Sequence, residues 1–328
     1  MRDKASSSGE SMKQPLTTNS SSERTSPDSA VLVSLLFVRR RWLLVLLISS
    51  AVLIPCIWQR HIEAGDLGSH IYNAWLVHLI HGERAPGLRV VNIWQNVFFD
   101  TLLSHLASLF GFGLAEKIAV SFAVLLFFWS SFSFMAAVSG RAPWTLVPAL
   151  MMITYGWTFQ IGFFNYYIAI GLSFLGLSIV WAERGRKRLI ALALLPLIFL
   201  AHPLGLVWFL GAAVYILIAE KLSHRWHLVM LMIAGLLLWL VRKYIFSNFR
   251  VGGSHWRLYA LNGIDQVVVY GNRNKFLAAA LGLFVVVCVV IDVVQRRKTE
   301  GYWRRLSLPL QLYVLAELGV VLLPATVH

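Results

Sequence analysis

The residues best suited to chemistry sit in one stretch, EAGDLGSHIYNAWLVHLIHG, from Glu63 to Gly82. It brings two carboxylates, Glu63 and Asp66, and three histidines, His70, His78 and His81, into a chain with only 15 acidic residues against 29 basic ones. Leu67 to Ile80 reads as a helix that sets Asp66, His70 and Asn73 at i, i+4 and i+7 on one face, with Ile71, Trp75 and Leu79 along another. An Asp ahead of a helix is a favoured N-cap, worth about 1 kcal/mol, and is equally a candidate base or ligand. His70, one turn on, can orient Asp66, join it on a metal, or face water. Two ligands are too few for a metal site and no third is evident, so no metal or other cofactor is assigned. His61, His78 and His81 read as interfacial. Glu63 reads first as a solvated loop acid and second as a base, and Asp100 as part of a polar helix face.

These groups belong to a chain that water could not hold. Hydrophobic residues make up 58% of it and charged ones 13%, too much apolar surface for a soluble protein of 328 residues to bury. Apolar runs occur at 42–58, 118–138, 143–160, 165–182, 189–201, 204–220, 228–246, 276–294 and 307–323, about nine spans. The net charge of +14 falls mostly in short loops between them: Arg39 to Arg41, Arg141, 183–188, Lys221 with Arg225, and 296–305. With a cytoplasmic amino terminus and every run crossing, all these clusters land on the cytoplasmic side. The excess is thus a topology signal and does not point to nucleic acid. Cys56 and Cys288 both lie in apolar runs and define neither a disulfide framework nor a compartment.

Two long segments then lie outside, 59–117 and 247–275. In the first, Asn92 to Phe110 is a second amphipathic helix, with Val97, Phe98, Leu102, Leu106 and Leu109 on its apolar side. Both helices should lie along the membrane surface. Residues 1–30, rich in Ser and Thr, read as a disordered cytoplasmic tail, and 31–328 as a single all-α polytopic membrane domain. No cleaved leader is expected.

A first span, then an outer loop opening with an acidic residue, a helix, a glycine and a second surface helix, resembles the C-type superfamily of integral-membrane glycosyltransferases. Gly65-Asp66, His70, Ala74 and Gly82 carry the likeness, with Asn165-Tyr166-Tyr167 and His202-Pro203 at two further outer turns. The resemblance covers about the first two thirds of the chain and implies a short or truncated member. It also implies transfer of a sugar from a polyprenyl-phosphate donor to a glycan, lipid or protein acceptor, with Asp66 as general base and Glu63 as its alternative. A hydroxyl attacking an anomeric carbon must lose its proton, and a carboxylate in reach can take it. The donor phosphate needs basic groups at the outer surface, with Arg257 favoured and Arg250 another candidate, and with His202 and Asn165 near the substrate. The family pattern departs here in that its acidic pair is spread out as Glu63 and Asp66. A bacterial inner membrane is the implied location.

Two other classes compete. A lipid or glycolipid transporter or flippase is disfavoured because the runs read as free of mid-membrane acids. A non-catalytic membrane assembly subunit would tolerate loss of Asp66. Phosphate-cradling glycine loops, nucleophile elbows and nucleic-acid motifs are absent from the sequence.

Overall fold

The computed structural model describes residues 41–91, 93–252, 266, 275–297, 302–323 and 326–327. The expected tail 1–30 and the proposed phosphate ligand Arg257 lie outside them. The described residues are overwhelmingly helical, apart from a two-residue antiparallel pairing of Val251–Gly252 with Thr326–Val327. Three helical stretches are long and apolar enough to cross a membrane: Phe112–Ser139, Phe164–Ala182 and His224–Asn248. Shorter apolar helical stretches are Trp42–Ile57, Phe98–Phe110, Pro203–Ala219, Ala279–Gln295 and Ser307–Leu322.

Helix α1 (Trp42–Ile57) carries Pro55, which removes one backbone donor. Nearby, the Tyr155 hydroxyl donates to the Val52 carbonyl at 2.5 Å and lies 3.2 Å from the Cys56 thiol. Two loop helices follow, α2 (Leu67–His81) and α3 (Phe98–Phe110), and then the long α4 (Phe112–Ser139). The next apolar run is broken into α5 (Val147–Thr154) and α6 (Trp157–Gln160). Helix α7 (Phe164–Ala182) packs lengthwise on α4, and a Cβ on Gly171 would lie 3.2 Å from the Phe127 Cα, so the small residue sets how closely the two approach. A ten-residue 3₁₀ helix, Gly185–Leu194, leads into α8 (Leu195–Ala201), which stops at His202-Pro203 before α9 (Pro203–Ala219). Then come α10 (His227–Asn248), α11 (Lys275–Arg296) and α12 (Tyr302–Leu322).

The main core joins α1 to α9, with Phe99, Leu103, Phe128, Phe164, Tyr167 and Ile216 fully buried. Polar contacts sort to two ends of this bundle. At one end Gly65 and Asp66 meet Gln160 and Ile161, Asn165 meets Asn96 and Phe99, and Val97 meets Leu200. At the other, Arg188 grips Glu220 at 2.6 and 2.8 Å with Arg184 at 3.1 Å, and Thr145 donates to Asp292 at 2.7 Å. The first will be called the loop end.

Several expectations about faces are corrected. Helix α2 runs as expected, but it buries Leu67 and Ala74 and leaves Trp75 43% exposed, so the side bearing His70 turns inward. In α3 the buried row is Phe99, Leu103 and Ala107, one residue round from the expected stripe, and Leu109 is exposed. Asp100 therefore lies in the first turn of α3 and half-buried against α2, where the sequence suggested a solvated face. Glu317 lies inside α12 and within the apolar run 307–323, so the reading of acid-free runs does not hold.

Candidate functional site

The segment from the end of α1 to the start of α2 is fixed at three points. Lys117 Nζ donates to the Ile57 carbonyl at 3.3 Å. The Ile62 N–H donates to Glu116 Oε1 at 2.8 Å, while Glu116 Oε2 lies 3.8 Å from His61 Nδ1. Glu116 is only 4% exposed, and satisfying one oxygen with a backbone donor is how a buried carboxylate is normally tolerated. Further on, Gly65 N donates to Gln160 O at 2.8 Å and Asp66 N to Ile161 O at 2.9 Å. That two-rung backbone contact requires both glycines in it. A Cβ on Gly65 would come within 2.8 Å of Ile161 O, and one on Gly162, whose φ is +80°, within 2.4 Å of Asp66 N. Glycine is the residue type that permits this approach.

Glu63 and Asp66 are both exposed on this stapled segment. Asp66 occupies the N-cap position of α2, yet its side chain makes no capping hydrogen bond. The carboxylate is held in place by its backbone alone and stays open. Glu63 lines a groove of about 520 Å³ together with Gln160, Gln59, Pro55, Met152 and Tyr155, walled by α1, α5 and α6 and touched by Leu281 of α11. The groove is mainly apolar, and its carboxylate and amides come from the residues just after α1 and at the end of α6, at the loop end.

His70 does not serve Asp66 through its side chain. Its Nδ1 lies 2.8 Å from Asp100 Oδ1. Because an ionised carboxylate only accepts, Nδ1 is the donor. Asp100 Oδ2 in turn accepts from Asn165 Nδ2 at 2.9 Å. Asn165 is 2% exposed, and the rest of its amide is used as well: Oδ1 accepts from Phe99 N at 2.7 Å, and Nδ2 donates to Asn96 O at 3.0 Å. Asn96 takes φ +59°, a left-handed conformation that asparagine accepts more readily than most residues. The His70 ring meets Phe99 edge-on at 5.2 Å and Phe164 at 6.4 Å. Phe164 meets Phe159, a groove-lining residue, at 5.6 Å. His78 faces the Ser104 carbonyl at 3.0 Å, a second link between α2 and α3.

No family model matches the chain, no curated protein matches it, and no solved structure matches it. The site is therefore read on its own chemistry.

The other residues singled out in the sequence stand apart from this centre or inside its support. Asn165 is consumed in the buried network, so it holds Asp100 and is closed to a ligand. His202 caps α9, its Nδ1 accepting from Leu204 N at 3.2 Å, with its ring edge-on to Tyr166 at 5.3 Å. Partial burial pushes the His202 pKa below the usual histidine value, in keeping with a ring nitrogen that must stay unprotonated to cap. Arg250 is exposed beside the short β pairing. Arg242, one of the basic residues near the second long loop, donates to the Leu322 carbonyl at 2.6 Å, a cation at the end of α12. Among the described residues no three of His, Cys, Asp and Glu converge as metal ligands.

Sequence reasoning missed Glu116 and the pairing of His70 with Asp100. Glu116 sits just ahead of an apolar run and carries no local signal. Asp100 carried none either, because the burial of its neighbour Phe99 and its place in the first turn of α3 are visible only in the structure.

Proposed function

We propose that this protein is a membrane glycosyltransferase that moves a sugar from a polyprenyl-phosphate donor to an acceptor hydroxyl at the extracytoplasmic face. The observation that carries the reading is the Glu63 carboxylate lining a mainly apolar groove between α1, α5 and α6, with the exposed Asp66 three residues on along the same backbone-stapled segment. Such a groove suits a polyprenyl chain in the bilayer with its phosphate at the surface. Asp66, free of any capping bond, is the base in this reading. It takes the hydroxyl proton as the acceptor oxygen bonds to the anomeric carbon, while the sugar–phosphate bond breaks and its electron pair leaves with the phosphate. Glu63 faces the groove and is the alternative base.

The accompanying topology has nine crossings, a cytoplasmic amino terminus and a bacterial inner-membrane location. Its support is the sorting of contacts to two ends, which alternates with every apolar run in chain order. The shortest run fits as well. Ten residues of 3₁₀ helix followed by seven of α rise roughly 30 Å, the thickness of a hydrocarbon core. The Arg184–Arg188–Glu220 cluster and Asp292 then lie on the cytoplasmic side, and every candidate site residue on the other.

A lipid transporter is the second reading, favoured by Glu317 within α12. Sugar transfer by the purified protein separates the two. A transporter moves labelled donor lipid across proteoliposomes without releasing its sugar to any acceptor, and keeps that property in Asp66→Asn.

A further inference from the structure

A displacement at an anomeric carbon needs a partner for the departing phosphate as well as a base for the incoming hydroxyl. We infer that His70, held by Asp100 and Asn165, is the hydrogen-bond donor to the donor lipid's phosphate. The inference rests on the transferase reading and assigns the leaving-group side of the same site.

Three observations converge on His70. Among the described residues its ring is pinned on one nitrogen only: Nδ1–H goes to Asp100 at 2.8 Å, and Nε2 has no hydrogen bond there. An imidazole that donates from Nδ1 to one anion can take a proton at Nε2 when a second anion approaches, and a phosphate oxygen is a strong acceptor for that Nε2–H. The ring cannot swing away. Asp100 is tied to Asn165, Asn165 is 2% exposed with its amide saturated, and Phe99 and Phe164 stand edge-on to the imidazole. This is far more support than a surface histidine needs, since it spans α2, α3 and α7, and it leaves a single atom unspent. Its side chain is still 15% exposed, so the ring is not sealed off.

Position supplies the third. Asp66 has a near-helical backbone, φ −84° and ψ −1°, and His70 follows it by one turn, its N–H donating to Asp66 O at 3.2 Å. Residues so spaced have Cβ atoms about 5–6 Å apart on one face. Asp66 and His70 thus stand one turn apart on α2, the carboxylate assigned to the acceptor proton and the imidazole to the released phosphate. Two ring contacts, His70 to Phe164 and Phe164 to Phe159, connect the histidine to the groove wall.

The test is a binding titration of the full chain in detergent micelles with a polyprenyl monophosphate and, in parallel, the matching uncharged polyprenol. Wild type should bind the phosphate lipid more tightly. His70→Gln and Asp100→Asn should each weaken phosphate-lipid binding by about tenfold or more and leave polyprenol binding unchanged, which also certifies that the variants are folded. Phosphate preference surviving in both variants would overturn the role of His70 while leaving the transferase reading intact. Equal loss of both lipids in both variants would make the network purely structural and overturn it too. Wild type binding neither lipid would remove the groove reading itself, and the inference with it.

Discussion

The bundle from α1 to α9 and the last three helices are written in the same apolar alphabet but are held differently: α10 packs with α12, while α11 packs on α5 and the turn at 144–146. In α7 most of the span is buried inside the protein, with Phe164, Tyr167 and Ile168 in the core. In α10 only Met230 is buried, and Leu228, Leu237 and Trp239 are exposed. Close approach at Gly171 and aromatic stacking such as Phe99 on Phe164 at 4.7 Å lock the first region. The second is attached by a small apolar cluster around Tyr215, Ala219 and Met230 and by a few polar contacts. The Tyr215 hydroxyl donates to Gln311 Oε1 at 2.8 Å, Gln311 Nε2 lies 3.2 Å from His227 Nδ1, and Arg242 reaches the end of α12. The lesson concerns placement of function. The open carboxylates and the His70 network are anchored to the first region, and among the described residues of α10 to α12 only Leu281 reaches the groove wall.

The harshest way to break this contrast is Gly162→Ala. At φ +80° and 2.4 Å from Asp66 N, a Cβ forces the Gly65–Asp66 rungs apart. We expect a loss of roughly 3 kcal/mol, read as a fall in the unfolding midpoint in micelles, together with faster proteolysis of the loop. Next comes a matched pair. Leu103→Ala, at a fully buried position, should cost about 2–5 kcal/mol. Leu237→Ala, at 57% exposure in α10, should cost less than about 0.5 kcal/mol in the same assay. Equal effects would erase the distinction between the regions. Asn165→Ala should cost about 1–3 kcal/mol, because it leaves Phe99 N and one oxygen of Asp100 without a partner.

How far the sequence reaches follows from these same residues. Helix α2 and its end at Gly82 were legible, since a long periodic run with a clear stop needs no tertiary knowledge. So was the N-cap position of Asp66 before it. The inward turn of α2 was not, because Trp75 and Leu79 outscore Ala74 in apolarity, yet the small Ala74 is what lets the helix sit close to the body. Nor was the stripe of α3, where Phe98, Leu102 and Leu106 look as apolar as the row actually buried. On a membrane protein both sides of a helix meet apolar surroundings, so periodicity loses its power to tell core from lipid. The pairings of Asp66 with Ile161 and of His70 with Asp100 are long-range backbone and side-chain matters that no local pattern encodes.

The smallest predicted effect lies at His202. Burial holds its pKa below the ordinary value near 6.5. As pH falls through that value the unfolded chain takes up the proton before the folded one, so stability is full above it and declines below it. Protonation also ends the cap to Leu204 N. The unfolding midpoint should fall modestly between about pH 7 and 5, and His202→Asn, which still offers a cap acceptor, should flatten that fall.

The most direct measurement of the central claim is sugar transfer from a panel of radiolabelled polyprenyl-phosphate sugars by purified wild type and Asp66→Asn side by side. Transfer by wild type that disappears in the folded variant is the predicted result. No transfer from any donor by folded wild-type protein, or equal transfer by both proteins, would contradict the account, the first by removing the enzyme and the second by removing Asp66 from its chemistry.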